Sequence, residues 1–387
     1  MASLSEDDVY RSSTQYRFWS FAPDALASMR TTTNAAAAEG VRAAVASAYQ
    51  KRGGSEGRQT TNGLGKDRNG IATNVDCLDV DEEQKLVGFY CVKAMQLADF
   101  CEFPTNVKAT AVQYLKRFYL SNSPMTYHPK QIMPSALFLS TKTENHYTSL
   151  HSFVSKLPKI KQDDVVAPEF LLTQGLRFAF DVRHPHRGLE GGFMELMGLA
   201  HGQRGQILKS RMMEMKPSKH FTKPAKTTEM LVQRIQHGHG IAKGTLKSSA
   251  LLTDVYFQFT PSQIWLSAYL LADEPLIKLY LRSKLAENEE LYKKLLTTLQ
   301  RCCRMLESSP SADPGAKEME DLMRIDKKLY KCRNPDKIDL VGMNKAQKRE
   351  GDGSAGDGLD EKTIKKRRLE RKHAEEEAND VFGPAIG

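Results

Sequence analysis

Apolar residues recur at intervals of three and four along most of this chain, and strict alternation of apolar and polar residues is hard to find. A spacing of three and four places side chains on one face of an α-helix, whereas alternation places them on one face of a strand. The sequence therefore predicts an all-α fold. One continuous apolar stripe over residues 84–101 comprises Leu86, Phe89, Tyr90, Ala94, Leu97 and Cys101.

The next predicted helix follows Pro104 and reaches Phe118 before a turn cluster at residues 121–124. Its apolar residues are expected to face inward and its charged residues outward. The outward set comprises Lys108, Lys116 and Arg117.

A third helix is predicted from Pro129 to Lys142, because proline suits a first helical turn whose N–H groups have no partners. Pro134 within it should remove one hydrogen bond and kink the helix. Helices over 150–157 and 168–178 complete a group of five.

The pattern then repeats, and it predicts two five-helix bundles in tandem with additional N-terminal and C-terminal helices. The strongest start signal is Thr260-Pro261-Ser262-Gln263, where Thr and Gln can satisfy free N–H groups reciprocally. A C-terminal amphipathic helix is predicted over 315–332. The second group of helices comprises 189–200, 226–259, 261–272, 275–285 and 289–306.

Segments rich in Gly, Lys, Thr and Pro at 51–75 and 201–225 interrupt the pattern and are interpreted as surface loops. The predicted domains are an N-terminal helical segment with a flexible insertion (1–83), a first bundle (84–182), a second bundle with a loop insertion near 201–225 (183–308), a C-terminal helix (309–342) and a charged, disordered tail (343–387).

Several classes of protein are disfavoured by composition. No run approaches the roughly 18 apolar residues of a membrane span, and the first residues are acidic and polar, unlike a signal peptide. We therefore expect no membrane partner. The six cysteines form no CxxC pair, so free buried thiols are expected rather than zinc or redox sites.

No catalytic constellation is recognisable. Gly63 to Lys66 resembles part of a phosphate loop, but the first glycine and the final Ser or Thr are missing. His237 and His239 flank a glycine without nearby Cys or carboxylates, which favours a solvated loop over a metal site. We therefore expect a protein that is not an enzyme and that holds no cofactor or metal.

The net charge of +9 is compatible with nucleic-acid binding, but much of the charge density lies in the tail after residue 340. A short basic run is more often a nuclear import signal than a specific nucleic-acid reader. The sequence therefore predicts nuclear localisation and no sequence-specific nucleic-acid binding. The proposed import residues are Lys365, Lys366, Arg367 and Arg368.

Aromatic residues cluster near the N-terminus at Tyr16, Phe18, Trp19 and Phe21. So many aromatics in one short segment must pack on something, either on the chain's own bundle or on a partner. Both possibilities stay open. We interpret Phe18 and Trp19 as a surface shared with a partner.

Three stretches of the sequence are distinctive. They are Tyr10-Arg-Ser-Ser-Thr-Gln-Tyr-Arg-Phe-Trp-Ser-Phe21, Tyr114-Leu-Lys-Arg-Phe-Tyr-Leu-Ser-Asn-Ser-Pro-Met-Thr-Tyr-His-Pro129 and Thr253-Asp-Val-Tyr-Phe-Gln-Phe-Thr-Pro-Ser-Gln-Ile264. Together they resemble the cyclin family, and within it the cyclin H type. The resemblance extends from about residue 9 to residue 340 and implies that the two bundles are cyclin boxes.

The resemblance also implies a function and a site. It implies a regulatory subunit that binds and activates the cyclin-dependent kinase of transcription factor IIH, which phosphorylates the C-terminal domain of RNA polymerase II. A RING-containing assembly factor is the expected third partner. The matching kinase-binding positions are Lys142 and Glu169. On spacing alone they would be a surface lysine and a first-turn glutamate favoured by the helix dipole.

A nucleic-acid-binding transcription factor of the IIB kind is the alternative, because that group also contains two cyclin-like boxes. That group carries a zinc ribbon with paired CxxC motifs, and this sequence has none.

Overall fold

The structure is a computed structural model that describes residues 6–55, 75–157, 160–203, 206–222, 224–285, 288–310 and 315–334. Within these ranges the regular structure is helical and no strand is present, which confirms the predicted all-α class. The described residues divide into two compact units. The first comprises those within Met1–Met29, Gly88–Ser121 and Pro129–Asp313, and the second those within Arg30–Val87, Asn122–His128 and Pro314–Gly387.

In the first unit, α1 (Glu6–Ser12) and α2 (Thr14–Trp19) precede the start of α3 (Pro23–Ser55). α4 (Val80–Phe100) enters this unit at Gly88. The central helix is α5 (Thr105–Ser121), which packs against the helices Pro129–Thr143, Gln162–Gly175 and Ser249–Leu252.

The outward face predicted for α5 is wrong at two positions, because Lys116 and Arg117 are both buried. Neighbours cover the helix almost all round, and acceptors from other segments, mostly backbone carbonyls, bond to the two charged heads. Lys116 donates to the carbonyls of Leu251 and Thr253, and Arg117 Nη1 donates to the carbonyl of Asp181 at 3.1 Å.

α6 (Pro129–Thr143), α7 (Leu150–Ser155) and α8 (Gln162–Gly175) complete the first group of five, and Pro134 lies inside α6 as predicted. α8 begins six residues before the predicted start at Pro168. Asp163 and Asp164 occupy its first turn, and Asp164 Oδ2 accepts from the Lys161 N–H at 2.9 Å. Acidic side chains are favoured at the positive, N-terminal end of a helix. The helix therefore begins at this acidic turn and not at the proline.

The second group consists of α9 (His186–Ala200), α10 (Gln206–Met213), α11 (Thr228–Lys247), α12 (Ser249–Leu252), α13 (Val255–Gln258), α14 (Pro261–Ala272), α15 (Glu274–Lys284) and α16 (Glu289–Glu307). The reciprocal cap predicted before α14 is present: Thr260 N–H donates to Gln263 Oε1 at 3.0 Å, and Gln263 N–H donates to Thr260 Oγ1 at 3.3 Å.

Two predictions for this group need correction. The helix predicted over 226–259 is interrupted after Lys247 and again near Thr253, giving three helices instead of one. The loop predicted over 201–225 contains α10, whose Met212 is buried and anchors it. A segment rich in Gly and Lys can still fold as a helix where one apolar residue reaches the core.

A buried ion pair joins two helices of the second group. Arg234 of α11 donates from Nε to Asp273 Oδ2 at 2.5 Å and from Nη2 to Asp273 Oδ1 at 2.7 Å. Asp273 Oδ1 also accepts from the Leu276 N–H at 3.3 Å, which caps α15. The pair therefore fixes both the position of α11 and the start of α15.

The second unit contains the rest of α3, the first residues of α4 and the C-terminal helix α17 (Ala316–Arg333), which the sequence predicts over 315–332. Lys328 of α17 pairs at 2.8 Å with both Asp76 and Glu82, and Arg324 pairs with Glu82 at 2.8 Å. The apolar side of α17 is buried through Leu322, Ile325, Leu329 and Cys332.

Six free cysteines agree with the predicted thiols, and all but the partly exposed Cys77 are buried. Among the described residues, no helix has the length and apolar content needed to cross a membrane. The tail over 343–387, the import residues Lys365 to Arg368 and the Gly63 to Lys66 segment lie outside the described residues.

Candidate functional site

The structure brings the two predicted kinase-binding residues together. Lys142 lies in the last turn of α6 and Glu169 lies on α8, and these two helices pack side by side. Lys142 Nζ donates to Glu169 Oε1 at 2.6 Å. The side chains keep 47% and 23% of their surface exposed, so both charged groups can be reached from solvent.

An exposed pair of this kind contributes little to folding, about 0–1 kcal/mol, because water already solvates both charges. Lys142 Nζ also lies 4.7 Å from the centroid of the Phe138 ring, a cation–π contact that further orients the ammonium. The ammonium can donate three hydrogen bonds and the carboxylate can accept several. The pair is therefore suited to ordering the backbone of another molecule.

The C-terminal end of α6 is fixed by a defined cap. Asn145 adopts a left-handed conformation with φ of 56°, which non-glycine residues other than Asn and Asp rarely adopt. His146 N–H donates to the carbonyl of Thr141 at 2.9 Å, and Asn145 N–H donates to that of Lys142 at 3.4 Å. These bonds form a Schellman motif that holds the backbone of Lys142 in place.

Large apolar side chains that lie near this pair in the sequence are exposed. Val166 and Phe170 lie on α8 one turn apart, and Phe170 adjoins Glu169. Tyr147 follows the cap of α6, and Phe178 follows α8. Exposed apolar groups beside a charged pair are typical of a protein interface. Sequence reasoning missed them, because the apolar spacing of α8 does not show which of its apolar residues face solvent.

The N-terminal aromatics divide between the two roles that the sequence left open. Trp19 is only 2% exposed and packs with Leu26, Leu120 and Phe257, so its ring lies in the chain's own core. Phe18 is partly buried against the same cluster and keeps some exposed surface. Self-packing therefore describes Trp19, whereas Phe18 can still contact a partner.

Arg117 is a residue that sequence reasoning misplaced, and it ties the N-terminal segment to α5. Its Cζ lies 5.1 Å from the centroid of the Trp19 ring, and its Nη2 donates to Gln15 Oε1 at 3.4 Å. Burial lowers the pKa of Arg117 to about 10, so the guanidinium remains charged near neutral pH. No local pattern reveals this role, because its contacts come from distant parts of the chain.

His237 and His239 lie within α11, so the predicted loop is wrong at these positions. His239 Nε2 lies 3.2 Å from Glu190 Oε2, and its ring packs 4.3 Å from that of Phe193. Among the described residues, no three His, Cys, Asp or Glu side chains are grouped as they would be around a metal ion.

Comparison with known proteins gives one family and several relatives. Residues 184–307 match the family described as Cyclin C-terminal domain. The chain is 32% identical to Cyclin CCL1 of Saccharomyces cerevisiae over 291 residues, which cover 74% of this chain and 63% of that protein. It is 27% identical to Cyclin-H of Xenopus laevis over 293 residues, which cover 71% and 79% respectively.

Two solved structures share the fold. One is a chain of the CAK complex from Chaetomium thermophilum bound to ATP-gamma-S, which is 33% identical, with a TM-score of 0.65 and coverage of 92% of this chain and 99% of that chain. The other is a chain of the yeast TFIIK complex of Kin28, Ccl1 and Tfb3, which is 28% identical, with a TM-score of 0.54 and coverage of 77% and 100%.

Proposed function

Because this chain belongs to the cyclin family, and within it to the cyclin H type, we propose that it binds and activates the cyclin-dependent kinase of transcription factor IIH. The observation that carries this proposal is the exposed Lys142–Glu169 pair at 2.6 Å. It lies at the positions that the resemblance assigns to kinase contact.

The pair acts by exchanging partners. In the free chain the ammonium of Lys142 and the carboxylate of Glu169 bond to each other. In the complex, Lys142 donates to backbone carbonyls of the kinase and Glu169 accepts from backbone N–H groups. Charge-assisted bonds of this kind strengthen when an interface excludes water. They hold the regulatory helix and activation segment of the kinase in their active positions.

Apolar contact supplies the surrounding area. Phe170 and Val166 offer exposed surface beside Glu169, and burying apolar surface contributes about 25 cal/mol for each Å² removed from water. Phe18 adds a second contact at the N-terminal segment, while the buried ring of Trp19 supports that segment from behind.

The chain supplies regulation and no catalytic group of its own. Nucleotide and metal belong to the kinase, and the Chaetomium thermophilum complex, which contains a similar chain, was solved with ATP-gamma-S bound. The yeast complex contains Tfb3 beside Kin28 and Ccl1. By analogy, this chain assembles with a third, RING-containing subunit, works in the nucleus and supports phosphorylation of the RNA polymerase II C-terminal domain.

The proposal is tested by reconstituting the full chain with the kinase and the third subunit. Lys142→Ala and Glu169→Ala should each weaken activation, because losing one partner of a desolvated charged contact costs about 2–5 kcal/mol at an interface. Lys284→Ala is the matched control, since Lys284 forms an exposed pair of the same 2.6 Å length with Glu195 elsewhere. Full activation by both site variants would contradict the proposal.

A further inference from the structure

A chain of hydrogen bonds leads from the second group of helices to the end of α6. Tyr256 lies on α13, His184 lies between α8 and α9, Thr110 lies on α5, and Glu144 directly follows α6. Tyr256 Oη lies 3.1 Å from His184 Nδ1, and His184 Nε2 lies 2.8 Å from Thr110 Oγ1. Thr110 Oγ1 donates to Glu144 Oε1 at 2.6 Å.

The partners determine the direction of every bond. A carboxylate only accepts, so the Thr110 hydroxyl donates its hydrogen bond to Glu144. His184 Nε2 must then be protonated and donate a hydrogen bond to Thr110 Oγ1. In a neutral imidazole the other nitrogen accepts, so Nδ1 accepts a hydrogen bond from the Tyr256 hydroxyl. Burial lowers the pKa of His184 to about 3, which keeps the ring neutral near pH 7.

The position of Glu144 needs an explanation that local structure does not provide. It is the residue at the C-cap of α6, between Thr143 and the left-handed Asn145. The carbonyl end of a helix carries partial negative charge and favours a cation, so a carboxylate there is disfavoured. The bond from the fully buried Thr110 offsets this cost and anchors the cap.

We propose that this hydrogen-bond relay from Tyr256 through His184 and Thr110 to Glu144 positions Lys142 for the kinase. Lys142 lies two residues before Glu144, and its carbonyl is held by the same cap. The inference rests on the proposed function. Thr110, His184 and Tyr256 are positioning residues, because they act on the kinase contact only through the end of α6. The second group of helices thereby controls a site on the first.

The relay is tested in the reconstituted complex with variants that remove one hydroxyl at a time. Thr110→Val and Tyr256→Phe should lower kinase activation about three- to tenfold, the change that one lost hydrogen bond produces. Thr110→Ser restores the hydroxyl and should restore activation. The matched control is Tyr269→Phe, because Tyr269 is equally buried and donates to the Ile235 carbonyl at 2.7 Å outside the relay.

Assays are run below the melting temperature of every variant, so that a general loss of stability does not lower activation. Equal activation by Tyr256→Phe and Tyr269→Phe, or failure of Thr110→Ser to restore activation, would overturn the relay.

Hydrogen exchange in the free chain separates this inference from the proposed function. The His146 amide, which bonds to the Thr141 carbonyl, should exchange faster in Thr110→Val and Tyr256→Phe than in Tyr269→Phe. Equal exchange in all three would overturn the relay. If exchange responds as expected but the unaltered chain does not activate the kinase, the coupling of the relay to the end of α6 stands, and only its role toward the kinase falls with the proposed function.

Discussion

Two ion pairs of nearly equal length occupy opposite surroundings in the first unit. Lys142 Nζ lies 2.6 Å from Glu169 Oε1, and the side chains are 47% and 23% exposed. Arg234 Nε lies 2.5 Å from Asp273 Oδ2, and these side chains are 0% and 2% exposed. Their shortest distances are alike, but the cost of losing a partner differs because only the exposed charges can return to water.

The difference in exposure separates a pair that stabilises the fold from a pair that can bind a partner. The buried pair must keep both members, because water cannot solvate a charge that is left unpaired inside the protein. In the proposed complex, the exposed pair exchanges its internal bond for bonds to the kinase with little effect on the fold. Distance alone therefore does not separate a pair that the fold depends on from a pair that is available to a partner, whereas exposure does.

The largest expected effect is that of Asp273→Ala, which leaves Arg234 buried without its carboxylate and removes the cap of α15. The free energy of unfolding should fall by about 3–5 kcal/mol. Urea unfolding followed by circular dichroism measures this change. The double variant Arg234→Met with Asp273→Leu should recover much of the loss, and no recovery would show that the charge itself is not the cause.

A comparable loss is expected for Trp19→Ala, because truncating a buried aromatic typically costs about 3–5 kcal/mol. This change should lower the melting temperature of the free chain and leave the kinase affinity of the folded protein nearly unchanged. Phe18→Ala should instead weaken kinase affinity and change the melting temperature of the free chain less. Titration with the kinase by calorimetry distinguishes them, and a large affinity loss in folded Trp19→Ala would show that its ring also contacts the kinase.

Two adjacent glycines of α9 give a smaller contrast between buried and exposed positions. A Cβ at Gly192 would come within 2.5 Å of the Trp265 ring, whereas a Cβ at Gly191 meets nothing within 4 Å. Gly192→Ala should destabilise by about 1–3 kcal/mol. Gly191→Ala should stabilise by about 0.5–1 kcal/mol, because alanine favours a helix interior. Thermal melts that rank the two variants in the opposite order would contradict this packing.

The smallest expected effect concerns the exposed pair itself. Lys142→Ala should change the free energy of unfolding by no more than about 1 kcal/mol, because water can solvate the remaining Glu169. Urea unfolding of the free variant measures it beside Asp273→Ala. A loss as large as that of Asp273→Ala would erase the distinction between the two pairs.

The parts of the fold that local rules control could be predicted from the sequence. The cap at Thr260 and Gln263 depends on four neighbouring residues, and the structure contains it. The face of Lys116 and Arg117 could not be predicted, because their acceptors, mostly backbone carbonyls, come from distant segments. α3 was not predicted in its full length either, since its alanine-rich sequence carries little apolar periodicity.

Identification of the candidate site depended on the family resemblance rather than on a local sequence pattern. Lys142 and Glu169 are separated by 26 intervening positions in the sequence, and only the packing of α6 on α8 brings them to 2.6 Å. Spacing alone favours an ordinary surface lysine and glutamate. The exposed Phe170 and Tyr147 became visible only when burial was known.

The buried heads of Lys116 and Arg117 have a consequence for how this protein can vary. Arg117 Nη1 donates to the carbonyl of Asp181, whose side chain is exposed, and a carbonyl is present whichever side chain that residue carries. Lys116 differs, because its acceptor residues Leu251 and Thr253 are themselves buried and its ammonium also pairs with Asp254 at 3.4 Å. A saturation library scored for folded protein should therefore accept many residues at 181 and few at 116, 117 and 251.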